Sequence, residues 1–108
     1  MRVTIPHNKT KQEARDAVER SIGQMFVGIA VGPLELLNQQ KQWDGDTMKF
    51  SLTAKMGFLK TPIQGSVLVG DNEVTIDVDL GLLAKLIPED AAKSRIERRV
   101  RGLLNPAS

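Results

Sequence analysis

Residues 43–56 read WDGDTMKFSLTAKM and residues 73–80 read EVTIDVDL, and the alternation inside these two stretches decides the fold. Met48, Phe50, Leu52, Ala54 and Met56 alternate with Lys49, Ser51, Thr53 and Lys55, the period of two expected of a strand with one buried face. Val74, Ile76, Val78 and Leu80 alternate in the same way with Thr75, Asp77 and Asp79. Between them Ile63, Gly65, Val67 and Val69 form a third run, with Leu68 on its polar side and two glycines that weaken strand propensity. Asp44-Gly45-Asp46 and Gly70-Asp71-Asn72 are turn chemistry, because glycine reaches positive φ without a Cβ clash. The chain must also reverse somewhere between Gly57 and Pro62, and Pro62, which lacks an N–H, is expected at a strand start or edge. Strands joined by such short links are antiparallel.

The flanks extend this sheet at both ends. Arg2 to His7 alternates with Val3 and Ile5 on one face and reads as a short first strand ended by Pro6. Thr10 followed by Glu13 is a capping box, which predicts a helix start at Thr10. Ala14, Ala17, Val18, Ser21, Ile22 and Met25 give that helix an apolar stripe, with Lys11, Arg15, Asp16, Glu19 and Arg20 toward water. The pattern allows continuation through Ile29, and Gly32-Pro33 breaks it. A strand from about Leu36 to Trp43 is expected before the Asp44-Gly45 turn. After the last strand a leucine-rich stretch, Gly81 to Ile87, leads to Pro88, which opens a second helix. Glu89 and Asp90 lie in its first turn and Arg98, Arg99 and Arg101 toward its end, the order that the helix dipole favours. Ala92, Ile96, Val100 and Leu103 form its apolar stripe, and Asn105-Pro106 stops it. The expected fold is therefore α+β: one domain over residues 1–108, in the order β-α-β-β-β-β-α, with two helices packed on one face of an antiparallel sheet.

Composition bounds what such a domain can do. A chain of 108 residues is long enough to bury a core, and its net charge of +2 gives only a weak overall field. Without cysteine there are no disulfides, thiolate nucleophiles or thiolate metal ligands, which suits a cytoplasmic protein. The N-terminus carries no signal-peptide pattern. Met25 to Val31, the longest apolar run, falls far short of the roughly 18 residues that a membrane span needs.

Several residue groups carry a resemblance, in this order: Ile5-Pro6-His7 with Glu13-Ala14; Trp43-Asp44-Gly45-Asp46-Thr47; Gly65 before an alternating strand; Asp79-Leu80-Gly81-Leu82-Leu83; and the arginine-rich last helix with Ile96-Glu97. In this spacing the chain resembles the small bacterial family of polyhydroxyalkanoic acid system proteins over nearly its whole length. It departs at about Phe26 to Gln39, where an extra segment stands between the first helix and the second strand. The resemblance implies association with polyhydroxyalkanoate metabolism and brings no catalytic residues with it. The layout is also similar to a reduced helix-grip fold, in which a curved sheet holds a C-terminal helix over a hydrophobic cavity.

No phosphate-binding glycine loop, Ser-His-Asp set, paired-carboxylate arrangement or nucleotide motif occurs at usable spacing, so no catalytic residue, metal or cofactor is assigned and an enzyme is not expected. His7 has no partner nucleophile nearby and reads as structural. Asp77 and Asp79, even with Asp44, Asp46 or Asp71, are too few for a hard-cation loop, and are expected to face solvent and meet Lys49 or Lys55 across strands. Leu80, Leu82, Leu83, Leu86 and Ile87 are the candidate hydrophobic contact. They are more large apolar residues than one such turn usually buries, which leaves core packing, a homodimer contact and a ligand mouth as readings. Lys93, Arg95, Arg98, Arg99 and Arg101 are the candidate anionic-surface contact. Scarce aromatics and the lack of a helix-turn-helix argue against nucleic acid as partner.

The leading functional expectation is a non-enzymatic accessory or regulatory protein at the polyhydroxyalkanoate granule, binding its surface or a granule-associated protein. Leu80 to Ile87 would touch the hydrophobic phase while the arginines face anionic headgroups. The alternatives are a helix-grip-like carrier holding an acyl chain among Phe50, Leu52, Val67 and Ile76, and a nucleic-acid-binding regulator using the basic helix.

Overall fold

The computed structural model describes residues 1–21 and 35–105. The chain runs β1 (Arg2–Pro6), α1 (Lys11–Ser21), β2 (Glu35–Asp44), β3 (Thr47–Met56), β4 (Leu59–Val69) and β5 (Glu73–Asp79), then a 3-10 turn (Gly81–Lys85) and α2 (Glu89–Leu104). The strands form one antiparallel sheet in the order β1-β5-β4-β3-β2. This is the expected α+β architecture. The continuation of the first helix through Ile29, with Ile22 and Met25 on its stripe, lies outside the described residues. So do the Gly32-Pro33 break, most of the extra segment and the stop at Pro106.

Alternation does what period two requires of it. Val3, Ile76, Val67, Met48 and Trp43 are successive cross-strand partners, so a single row crosses all five strands on the inner face. Its first four members are at most 1% exposed and Trp43, on the edge strand, is half-buried. The next inner row is Val78, Gly65, Phe50 and Lys41. Here the missing side chain is structural. A Cβ on Gly65 would collide with the Asp77 carbonyl oxygen and stand 2.6 Å from Cζ of Phe50, so the phenyl ring lies on the bare backbone of β4.

Ala14, Ala17 and Val18 of α1 and Ala92, Ile96, Val100 and Leu104 of α2 bury against that face. Leu104, not Leu103, ends the second stripe, and Pro88 is the N-cap rather than the first helical residue. The capping box of α1 is formed in both directions: Glu13 N–H donates to Thr10 Oγ1 at 3.1 Å and Thr10 N–H to Glu13 Oε1 at 3.0 Å. That second bond holds the Glu13 carboxyl below its ordinary range.

Three local expectations change. The reversal between β3 and β4 is a tight two-residue turn, Gly57-Phe58, with Met56 opposite Leu59 and Gly57 at φ 63°, the positive φ that a type II′ turn requires at its first central residue. β4 therefore starts before Pro62. Proline is tolerated there because β4 pairs with β5 only from Gln64 to Val69, so at Pro62 the strand has β3 alone as a neighbour. β2 is longer than expected and bulged between Leu37 and Gln40, with Asn38 at φ 54°, which interrupts an otherwise exposed edge.

Arg15 and Glu19 do not simply face water. Lys41 and Trp43 project from the inner face of β2 at the sheet edge and meet them. Trp43 Nε1–H donates to Glu19 Oε2 at 2.6 Å, and the Arg15 guanidinium sits 4.5 Å from the ring centroid. Lys41 Nζ donates to the Glu19 carbonyl oxygen at 2.8 Å and lies 3.1 Å from its carboxylate. The Trp43 hydrogen bond, with Lys41 adding to it, lowers the Glu19 pKa from its ordinary 4.5.

This packing can be tested at Gly65 and at the two carboxylates of α1. Gly65→Ala forces a methyl into backbone and ring and is expected to destabilise the fold by about 2–3 kcal/mol, read as a lower urea midpoint at unchanged slope. A Gly65→Ala variant with the wild-type midpoint would contradict the close approach. For Glu19 and Glu13 the unfolded carboxyl binds its proton at higher pH than the folded one, so their contribution is complete above the ordinary value and disappears as pH falls through the lowered one. Stability should thus decline below about pH 4.5. Glu19→Gln, which cannot titrate, should start lower at neutral pH and lose less on acidification; a wild-type acid profile in that variant would remove Glu19 from the account.

Candidate functional site

The described surface has three features large enough to serve binding: the turn after β5, the basic face of α2, and a groove beside the first.

The turn is fixed by Thr61. This buried side chain stands on the half of β4 that β5 leaves unpaired, and its Oγ1 accepts the Leu82 N–H at 2.8 Å. Asp79 Oδ1 accepts the Gly81 N–H at 2.9 Å, and Gly81 has φ 59°. A side chain at Gly81 would run into Thr61 and stand 2.7 Å from the Pro62 carbonyl oxygen. So held, the 3-10 turn takes the place of a fifth-strand continuation along β4. It buries Leu80, Leu83 and Ile87 at 0–6% exposure and leaves Leu82 and Leu86 at 44% and 55%. Three of the five candidate contact residues are therefore core, and two are surface. Sequence reasoning misses Thr61, because a lone threonine in a strand carries no signal of its partner.

α2 packs chiefly on β1 and beside α1, with Asn105 Nδ2 donating to the Pro6 carbonyl oxygen at 3.0 Å. Lys93, Arg98 and Arg99 are exposed, Arg95 is half-buried, and Arg101 is paired with Glu97 at 2.8 Å. The helix starts just beyond Leu86 and runs to the Pro6 end of the sheet, so Arg98 lies about 15 Å or more along it from the exposed leucines. Arg98, Arg99 and Arg101 thus lie along the helix away from the exposed leucines, whereas Lys93 and Arg95 stand in its second turn, closer to them.

The groove, of about 800 Å³, opens where β3, β4 and β5 meet the turn and the start of α2. Phe50, Gly65, Val78, Leu80 and Ile87 supply its apolar lining, and Lys49, Asp77, Asp79 and Glu89 its charges. Of the four cavity candidates only Phe50 reaches it. Val67 and Ile76 pack in the core at 0–1% exposure, and Leu52, itself 3% exposed, lines a smaller hollow of about 260 Å³ with Gln39, Gln40, Lys41 and Ser51 at the sheet edge.

His7 is a structural fastener. Its Nδ1 accepts the Lys9 N–H at 3.1 Å, which assigns the proton to Nε2, and Nε2–H donates to the Gly70 carbonyl oxygen at 3.0 Å. The aspartates also have structural work, with partners other than Lys49 or Lys55. Asp77 accepts two bonds from Arg2, because Lys49 lies two strands away. Asp46 is 2.9 Å from Lys11 and 3.8 Å from Arg15, and Asp71 is 3.7 Å from Lys11. The Asp46 hydrogen bond raises the Lys11 pKa. Among the described residues no group of three or more metal-ligating side chains comes together, and no helix is long and apolar enough to cross a membrane.

No curated protein and no solved structure matches the chain. A family model does, over residues 1–104, and it is described as "Putative polyhydroxyalkanoic acid system protein". That span takes in both helices, all five strands and the turn held by Thr61, and by it the chain belongs to the polyhydroxyalkanoic acid system protein family.

Proposed function

We propose that this protein is a non-enzymatic accessory or regulatory protein of the polyhydroxyalkanoate storage granule, acting by adsorption to the granule surface. Membership of the family associates it with the polyhydroxyalkanoate system. One observation supports adsorption as the mode: Leu82 and Leu86 are held half out of the fold on a turn whose backbone Thr61, Asp79 and the buried Leu83 lock in place. An aliphatic polyester presents an apolar phase to which such side chains transfer favourably. Because the turn is already ordered in the free protein, adsorption does not have to freeze it.

Completing the burial of these two half-exposed leucines is worth roughly 1 kcal/mol each, or on the order of tenfold or more in partitioning for the pair. Purified protein is expected to co-sediment with amorphous polyhydroxybutyrate particles, and the double variant Leu82→Ser, Leu86→Ser to lose about tenfold in affinity while keeping its thermal midpoint. Pelleting indifferent to both substitutions would reject the turn as the contact, and absence of pelleting would reject adsorption itself.

A further inference from the structure

The outer face of the β3–β4 hairpin carries cations that the fold does not use. Both helices bury against the inner face, and none of the hairpin's outward side chains is buried. Neither strand contains an acidic residue. Lys49 and Lys55 point outward from β3, and Lys60 of β4 is the cross-strand partner of Lys55. Like charges placed opposite each other destabilise a strand pair, and no ion pair among the described residues relieves any of the three lysines. Between Lys49 and that pair, Ser51 and Thr53 on β3 and Gln64 and Ser66 on β4 add neutral donors.

The acidic residues of the flanking strands leave this track open. Asp77 is held by Arg2, and Asp79 accepts the Gly81 N–H. Glu35 is the β2 partner of Lys55 but forms no ion pair with it, and Asp44 stands at the far end, opposite Thr47. At the near end the chain reverses through Gly57-Phe58, where Phe58 is fully exposed while Met56 and Leu59 beside it pack against the core. A glycine-first turn asks for no aromatic at its second position. Lys49 is six residues from Lys55, or about 20 Å along the strand. The face is thus a line of ammonium groups and neutral donors with one exposed aromatic ring at its end.

We infer that this face binds single-stranded nucleic acid, with phosphates running from Lys49 to the Lys55–Lys60 pair and an unpaired base stacked on Phe58. A linear polyanion matches cations spread along a strand, and a phosphate between Lys55 and Lys60 removes their repulsion. Phospholipid is disfavoured because a membrane takes up apolar side chains side by side, whereas the hairpin's exposed large apolar residues, Phe58 and Leu68, stand at its opposite ends. A duplex is disfavoured because its bases are stacked on each other and offer Phe58 no open face. Composition argues against nucleic acid through the scarcity of aromatics, and the hairpin answers it by placing one ring beside paired lysines. The inference goes beyond the adsorption proposed above, and each can fail without the other.

The test follows the fluorescence anisotropy of a fluorescein-labelled oligothymidylate of about twenty nucleotides, titrated with the full chain across a salt series. A duplex of the same length and vesicles of phosphatidylcholine with phosphatidylglycerol are titrated beside it. The single strand is expected to bind best, with a slope of log affinity against log salt of about −2 for three phosphate contacts. Lys55→Gln with Lys60→Gln should weaken binding and reduce that slope by about 1.4, while the thermal midpoint holds or rises because a like-charge pair is gone. Phe58→Ser should lower affinity about tenfold at an unchanged slope. Arg98→Gln with Arg99→Gln, on the helix that packs against the other face, should change affinity less than about threefold. The inference is overturned if the single strand fails to bind at low salt, if the duplex or the vesicles bind as tightly, if Phe58→Ser changes nothing, or if the arginine variant is the one that responds.

Discussion

The row Val3, Ile76, Val67, Met48 and Trp43 ties the register of all five strands together. A slip of one residue in any pair would carry a buried side chain to the wet face and its polar neighbour into the core, so each pairing is enforced by the burial of the others. The remaining features adjust to that row. Phe50 covers the gap at Gly65 two residues along, and Lys41 and Trp43 on the edge strand reach α1 through Glu19 and Arg15. The two helices have one apolar surface on which to lie, and their stripes match it. Electrostatics plays a secondary part: the ion pairs around Asp46 and Glu19 are partly exposed and orient α1 more than they stabilise it.

What can be read from residues alone follows the range of the forces concerned. Alternation in β3 and β5, the Thr10–Glu13 box and the stripe of α2 depend on neighbours within a few positions, and these stand as expected, save that Leu104 replaces Leu103 at the end of the stripe. The contacts that are not legible join distant positions. Nothing in the sequence around Thr61 points to Leu82, and nothing in Glu19 points to Trp43, until the sheet order is known. Pro62 is an edge residue, as its missing N–H requires, yet it does not stand at the strand start, because an edge can lie within a strand when one neighbour is shorter than the other.

The same limit applies to the candidate surface residues. Five leucines and isoleucines in one short stretch mark an apolar segment, but which of them are spent on the core depends on how the turn docks. Charge clustering in α2 is plain in sequence, whereas Lys55 and Lys60 look like ordinary outward positions of two strands until the Gly57-Phe58 turn brings them opposite each other. Phe58 gives no warning either. It interrupts no alternation, since it stands at the turn between two of them.

Topology explains why exposed apolar groups collect at this end. β4 extends beyond β5, so its first half has a free flank that a further strand would ordinarily cover. A 3-10 turn of five residues covers it instead. With three residues per turn, such a helix presents one narrow face to the sheet and turns the rest outward. Leu83 takes the inward place, and Leu82 is directed out by the bond from its own amide to Thr61. The exposed leucines are thus a consequence of topology: the free flank of β4 fixes where the turn docks, and three residues per turn fix which of its side chains it can bury.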